Sequence, residues 1–274
     1  MTDARGQAEA GLFMYALPEL EKPLRCWWRV LGAALNKQGL EELPSRLSVP
    51  QDPLAHWLAP NLVLSQTCGY PLTHDLRGRV TYLATPCYDA VGSAGPTYRS
   101  VFIVARDSGY EKLADLRGRR VVINDWNSQS GMNCLRAAIA PLAKRAGFFS
   151  SVELSGGHGE SLAWVAERRA DLAAIDGVTF ALFQRHRPGL TDRLKVIGLS
   201  DPAPGLPYIT GLACPPARRR QLRAGLLEAF AAPDGQAARQ ALLLRGCELL
   251  APSAYQVILD MEQAARDLGY PTLA

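Results

Sequence analysis

A run of small and polar residues, Asp125-Trp-Asn-Ser-Gln-Ser-Gly131, follows the apolar stretch Val121-Val-Ile-Asn124 and precedes an apolar segment from Met132. Read as strand, loop and helix, this order places Ser128 or Ser130 at a helix N-cap. The first-turn N–H groups of Ser130, Gly131 and Met132 then lack intrahelical acceptors. They point at the loop mouth, where the helix dipole favours negative charge. Two hydroxyls and the Gln129 amide add neutral donors, and Asn124 and Asp125 sit at the strand's end. The chemistry is that of an oxyanion site built without lysine or arginine.

Other residues could add to it. His158 lies in Gly156-Gly-His-Gly159, just before a predicted helix, where its imidazole can donate to an anion or sit on an ordinary turn. Asp176 ends a predicted strand, where open α/β sheets bind ligands. It can hold a ligand ammonium or hydroxyl, or cap the turn at Thr179. Gln66-Thr67-Cys68-Gly-Tyr70 also follows a strand and reads as a donor-rich loop, and Tyr15 is a similar candidate. Cys68 as a nucleophile would need a base, and His74 is near it only in sequence. No GxGxxG after a strand, Walker A, HExxH or GxSxG occurs, so neither nucleotide-driven nor metallohydrolase chemistry is indicated.

The elements that must hold these residues alternate. Strands are expected at 11–17, near 47, at 62–64, 98–105, 121–124, 152–154, 171–176 and 194–199. Helices are expected from Pro23 to Gly39, at 53–58, 131–146, 160–169, 216–231, 237–245 and 253–268. The first has Leu24, Trp27, Trp28, Leu31 and Leu35 on one face. The last opens with Ser253 and Gln256 as a capping box. Alternation of strand and helix argues for an α/β fold with mostly parallel sheets.

The chain has 274 residues, 48% hydrophobic and 20% charged, which is globular rather than disordered composition. Its net charge is +4, and the run Arg218-Arg219-Arg220 reads as a solvated helix face, so no nucleic-acid partner is expected. No apolar run approaches the ~18 residues of a membrane span. Six cysteines show neither CxxC spacing nor a zinc pattern, and no metal or cofactor is expected. Residues 1–10 lack a basic n-region and no cleavage site follows, which predicts a cytoplasmic chain if Met1 is the natural start.

Taken in order, Tyr98–Ser108, Leu113–Asn124, Ser128–Gly131, Gly157-His158, Glu167–Asp176 and Tyr255-Gln256 resemble the phosphonate/phosphate/phosphite-type substrate-binding proteins of ABC transporters. The resemblance implies a type 2 periplasmic-binding-protein fold, with two α/β lobes and the ligand in the cleft between them. Lobe I would combine 1–104 and 195–274, and lobe II would be 105–194. The lobes would close on ligand by a hinge motion, and the partner would be an ABC permease. By the resemblance, Ser128, Gln129, Ser130, Gly131 and His158 grip a phosphoryl-like group. Tyr15 and the 66–70 loop come from the opposite lobe, and Asp176 meets a second polar group. Two departures stand out: Gln129 replaces a frequent small hydroxyl residue, and Trp126 is bulky beside the loop. They widen the expected ligand to other small anions, such as a carboxylate or sulfonate.

The family's usual location is periplasmic, in contrast to the cytoplasmic reading of Met1. The reading taken is a non-catalytic binding protein. Its rival is a cytoplasmic enzyme on the same fold, chorismate dehydratase-like or thiamine-pyrimidine synthase-like, with Asp125, His158 or Asp176 as acid/base groups.

Overall fold

The computed structural model describes residues 7–143 and 147–274, and of Pro252 the backbone alone. Along the chain the strands are β1 (Glu9–Gly11), β2 (Leu62–Gln66), β3 (Val80–Tyr88), β4 (Thr97–Tyr98), β5 (Ser100–Ala105), β6 (Arg120–Ile123), β7 (Ser151–Leu154), β8 (Leu172–Asp176), β9 (Leu194–Leu199), β10 (Ala203–Pro204), β11 (Tyr208–Gly211) and β12 (Leu244–Glu248). Two compact units result. One comprises Met1–Asp89 with Pro204–Ala251, and the other Ala90–Ala203 with Pro252–Ala274.

The sheet of the first unit runs β1-β2-β11-β3-β12. β1 and β2 are parallel; β11 pairs antiparallel with β2 and β3, and β12 antiparallel with β3. The helix Glu21–Lys37 buries Trp27, Trp28, Leu31 and Leu35, with Leu24 half-buried at its start. It packs on the helix Pro216–Ala231. Gly225 permits the approach, since a β-carbon there would meet Leu35 Cδ2 at 2.7 Å.

The sheet of the second unit runs β7-β6-β8-β5-β9. β6 is parallel to β7 and β8, whereas β5 is antiparallel to β8 and β9. Val121, Val122, Ile123, Leu172 and Ile175 are fully buried, the pattern of strands covered on both faces. The helix Gln256–Asp267 packs against the helix Cys134–Ala143 in this unit.

Several expectations need correction. The sheets are mixed rather than mostly parallel. The units divide at 89/90 and 203/204 rather than at 104/105 and 194/195, because β5 and β9 are hydrogen-bonded neighbours in the second sheet. Residues 252–274 join the second unit. The first strand is Glu9–Gly11, and 12–17 continue as coil and a turn; no strand forms at 41–52. β3, β11 and β12 were not anticipated. The helix expected at 237–245 stops at Ala241, because Leu243 takes a left-handed φ of 58° and the chain turns into β12. The 253/256 capping box does not form: Pro252–Tyr255 is a 3₁₀ turn and draws Ser253 inside the element. The helix expected at 131–146 is described to Ala143, and 144–146 lie outside the described residues.

Candidate functional site

β6 ends at Ile123 and delivers Asn124 and Asp125 to the loop. Asp125 Oδ1 accepts from the Asn127 N–H at 2.7 Å, an Asx turn that reverses the chain. Asp125 and Trp126 are exposed. Ser128 is the N-cap, and its Oγ accepts from the Gly131 N–H at 3.0 Å. Gly131 is thus already satisfied, contrary to the expectation of a free donor there. The helix does not open as an α-helix. Gln129–Asn133 form a π-helical turn, with the Asn133 N–H bonded to Ser128 O at 3.0 Å, and Cys134 opens the α-helix.

Ser128 and Ser130 are both nine-tenths buried. Ser130 Oγ lies 2.8 Å from His158 Nε2. His158 opens its own helix, His158–Ala166, behind Gly157 as N-cap. Two helix starts therefore converge on one hydroxyl–imidazole pair. Burial pushes the His158 imidazolium down to about 4, so the ring is neutral at pH 7. Its Nδ1 and the Asn124 Oδ1 are shielded from solvent and have no hydrogen-bond partner. Asn124 packs over Gly131, where an added β-carbon would lie 1.7 Å from Asn124 Oδ1. With Asn124 in that place, only glycine fits at 131.

Gln129 does not face the loop mouth. It is fully buried, with Nε2 3.3 Å from Cys134 Sγ and 3.3 Å from Met261 Sδ. The π turn rotates its amide inward, away from the role of anion donor. Asp176 caps its own helix: Oδ1 accepts from Val178 N at 2.8 Å and Thr179 N at 3.0 Å. Of the two readings its position allowed, the structure displays the cap.

The remaining candidates lie in the first unit. Gln66 Nε2 donates to Tyr88 OH and to Leu206 O, both at 3.0 Å. Tyr15 sets its ring edge against Tyr88 at 5.0 Å. Thr67 is fully buried, and its N–H bonds Pro207 O at 3.1 Å. Cys68 is buried ahead of the short helix Gly69–Thr73. Tyr70 stacks on His74, whose Nδ1 lies 2.9 Å from Tyr70 O. Tyr88 is therefore a member of this polar group that the sequence reading missed, because β3 itself was missed.

Sequence reading also missed Asn133 and Arg136. With Gln129 they recur at i, i+4 and i+7 on an otherwise apolar helix, a spacing that could have revealed them. Among the described residues no cluster could hold a metal ion, and no helix is long and apolar enough to cross a membrane. The six cysteines are free thiols.

No curated protein matches this chain in sequence. Solved structures share its fold at low identity. A binding-protein component of an ABC phosphonate transporter from Pseudomonas aeruginosa is 16% identical with a TM-score of 0.76, over 95% of this chain and 87% of that one. PhnD1 from Prochlorococcus marinus, in complex with methylphosphonate, is 13% identical with a TM-score of 0.75, over 94% and 98%. A Xanthomonas citri protein bound to ATP is 16% identical with a TM-score of 0.69, over 95% and 97%. Such neighbours show the type 2 periplasmic-binding-protein fold. Residues 61–255 match the profile of a family described as the periplasmic substrate-binding protein of phosphonate ABC transporters. As that match spans more than half of the chain, the chain belongs to this family of substrate-binding proteins.

Proposed function

We propose that the chain binds a small phosphonate- or phosphate-like oxyanion at the 128–132 turn, as the solute-binding component of an ABC-type transport system. The observation that carries this reading is the Ser130–His158 pair, 2.8 Å apart at two helix starts. A neutral His158 donates from Nε2 to Ser130 Oγ, which leaves the Ser130 hydroxyl proton to donate to an anion. Ser128 accepts from Gly131 and keeps its own hydroxyl proton for the same purpose. The first-turn N–H groups and the helix dipole supply the remaining attraction. Asp176 enters this reading as a helix cap, not as a ligand group.

Selectivity follows from burial. A ligand lacking matching oxygens would leave these donors unpaired, which costs ~1–3 kcal/mol each. Family membership and the methylphosphonate complex of the Prochlorococcus marinus protein both favour a tetrahedral phosphorus oxyanion. Titration calorimetry with methylphosphonate tests the reading. Binding that is lost in the Ser128→Ala/Ser130→Ala double variant, with the fold retained, is the expected result. Equal affinity in wild type and variant would exclude this turn as the anion site. Chemical conversion of the ligand would instead indicate an enzyme.

A further inference from the structure

An α-helix capped by Ser128 would spend its first backbone bond on Met132, whose N–H would reach Ser128 O four residues back. Here Ser128 O is taken by the Asn133 N–H, five residues on, and Gln129 O by the Cys134 N–H. The wider turn leaves the Met132 N–H unbonded to Ser128 O, the acceptor that an α-helix would give it. Single π turns of this kind recur at functional sites.

Buried side chains bond across this turn and beyond it. Asn133 Nδ2 donates to Gln129 Oε1 at 2.6 Å and to Ile258 O at 3.0 Å. Arg136 donates from one terminal nitrogen to Asn133 Oδ1 at 2.6 Å and from the other to Pro271 O at 3.0 Å. The same guanidinium lies 3.4 Å from Glu262 Oε2, and Arg266 reaches the other Glu262 oxygen at 2.5 Å. Gln129 and Asn133 are fully buried, and Arg136 and Glu262 are more than nine-tenths buried.

Such a chain is an expensive way to join two helices. Arg136 Nε is buried without a partner, and apolar residues of similar volume would pack the same contact at lower cost. What the polar chain supplies is geometry. It ties Asn133 and Arg136, at the start of the helix, to fixed points on the 256–271 segment. Asn124 packs over Gly131 in the same turn.

We propose that Asn133 and Arg136 are positioning residues for anion binding: they hold the 129–133 turn in π geometry and thereby keep the Met132 N–H available as an additional donor. The inference rests on the reading that the anion sits at this turn. Neither residue touches the ligand; each acts through the backbone.

The test uses the full chain with methylphosphonate as probe. In wild type, the Met132 amide resonance should move on methylphosphonate addition. Asn133→Leu removes both side-chain bonds. It should lower affinity about tenfold or more, and its crystal structure should show the Met132 N–H bonded to Ser128 O. Arg136→Lys keeps a cation beside Glu262 and a donor for Asn133, and should retain most of the affinity.

A folded Asn133→Leu protein with wild-type affinity, or with the π turn intact, would overturn the inference. Should Asn133→Leu fail to fold, the wild-type experiment still decides: methylphosphonate binding with an unmoved Met132 amide defeats the inference alone. Absence of any methylphosphonate binding by wild type defeats the proposed function, and this inference with it.

Discussion

Ser130 Oγ and His158 Nε2 stand 2.8 Å apart, although 28 residues separate them and each belongs to the start of a different helix. Burial of the pair makes the histidine neutral, so it orients the serine hydroxyl rather than supplying charge. His158→Ala should therefore weaken methylphosphonate binding about tenfold to hundredfold, the worth of one hydrogen bond to a charged ligand. Ser130→Ala should do the same, and the double variant should lose little more than either alone. Calorimetric titration of the three proteins checks this.

The neutral state of His158 also shapes stability. Its pKa falls from 6.5 to about 4 on folding. Between those values the unfolded chain binds a proton that the folded chain refuses. Stability from this residue is thus complete above pH 6.5 and drains away as pH drops toward 4, by about 3 kcal/mol at most. Denaturant unfolding of wild type across pH 4–7 should show that loss. His158→Asn should flatten the curve over the same window, and an unchanged slope would refute the assignment.

Asp176 accepts from two N–H groups at the start of Gly177–His186. Asp176→Ala should cost about 1–2 kcal/mol of stability, and Asp176→Ser less, because serine also caps. Urea midpoints measure both. The order of affinities among oxyanions should survive the substitution; a changed order would restore the ligand role.

Two glycines should respond differently to alanine. At Gly177 a β-carbon would meet Arg99 O at 2.6 Å and Val91 O at 2.9 Å, and backbone cannot yield. Gly177→Ala should cost about 3 kcal/mol, with no single partner change able to restore it. At Gly131 the obstruction is the Asn124 side chain. Gly131→Ala should be destabilising alone and largely recovered by Asn124→Ala. Thermal midpoints of the single and double variants distinguish the two situations.

Where local physics decides, the sequence was a good guide. The apolar runs of β5, β6 and β8 are strands, and the Ser-rich loop leads into a helix as expected, whereas the helix expected at 160–169 starts at His158 and ends at Ala166. Asp176 offered a cap or a ligand group, and local hydrogen bonding displays the first. What escaped depends on partners far along the chain. β3, β11 and β12 are built from short, interrupted apolar stretches whose pairing supplies what their periodicity lacks. The Leu243 turn that starts β12 needs a left-handed backbone, which no residue type there announces. Gln129 reads from the sequence as a donor to the anion because nothing near it in the chain shows that Met261 waits inside to receive it. The π turn was hidden for the same reason, since its cause lies on a helix more than 120 residues away.

Chain order gives that distance a temporal meaning. The sheet of the second unit is complete once residue 199 has been made, yet the helix Gln256–Asp267 leaves the ribosome only after the whole first unit. Until then Gln129, Asn133 and Arg136 have no Ile258, Glu262 or Pro271 to hold. The turn that would receive the anion is therefore finished late in biosynthesis, and a nascent chain halted before residue 256 would carry the serines and the histidine without the brace that shapes them.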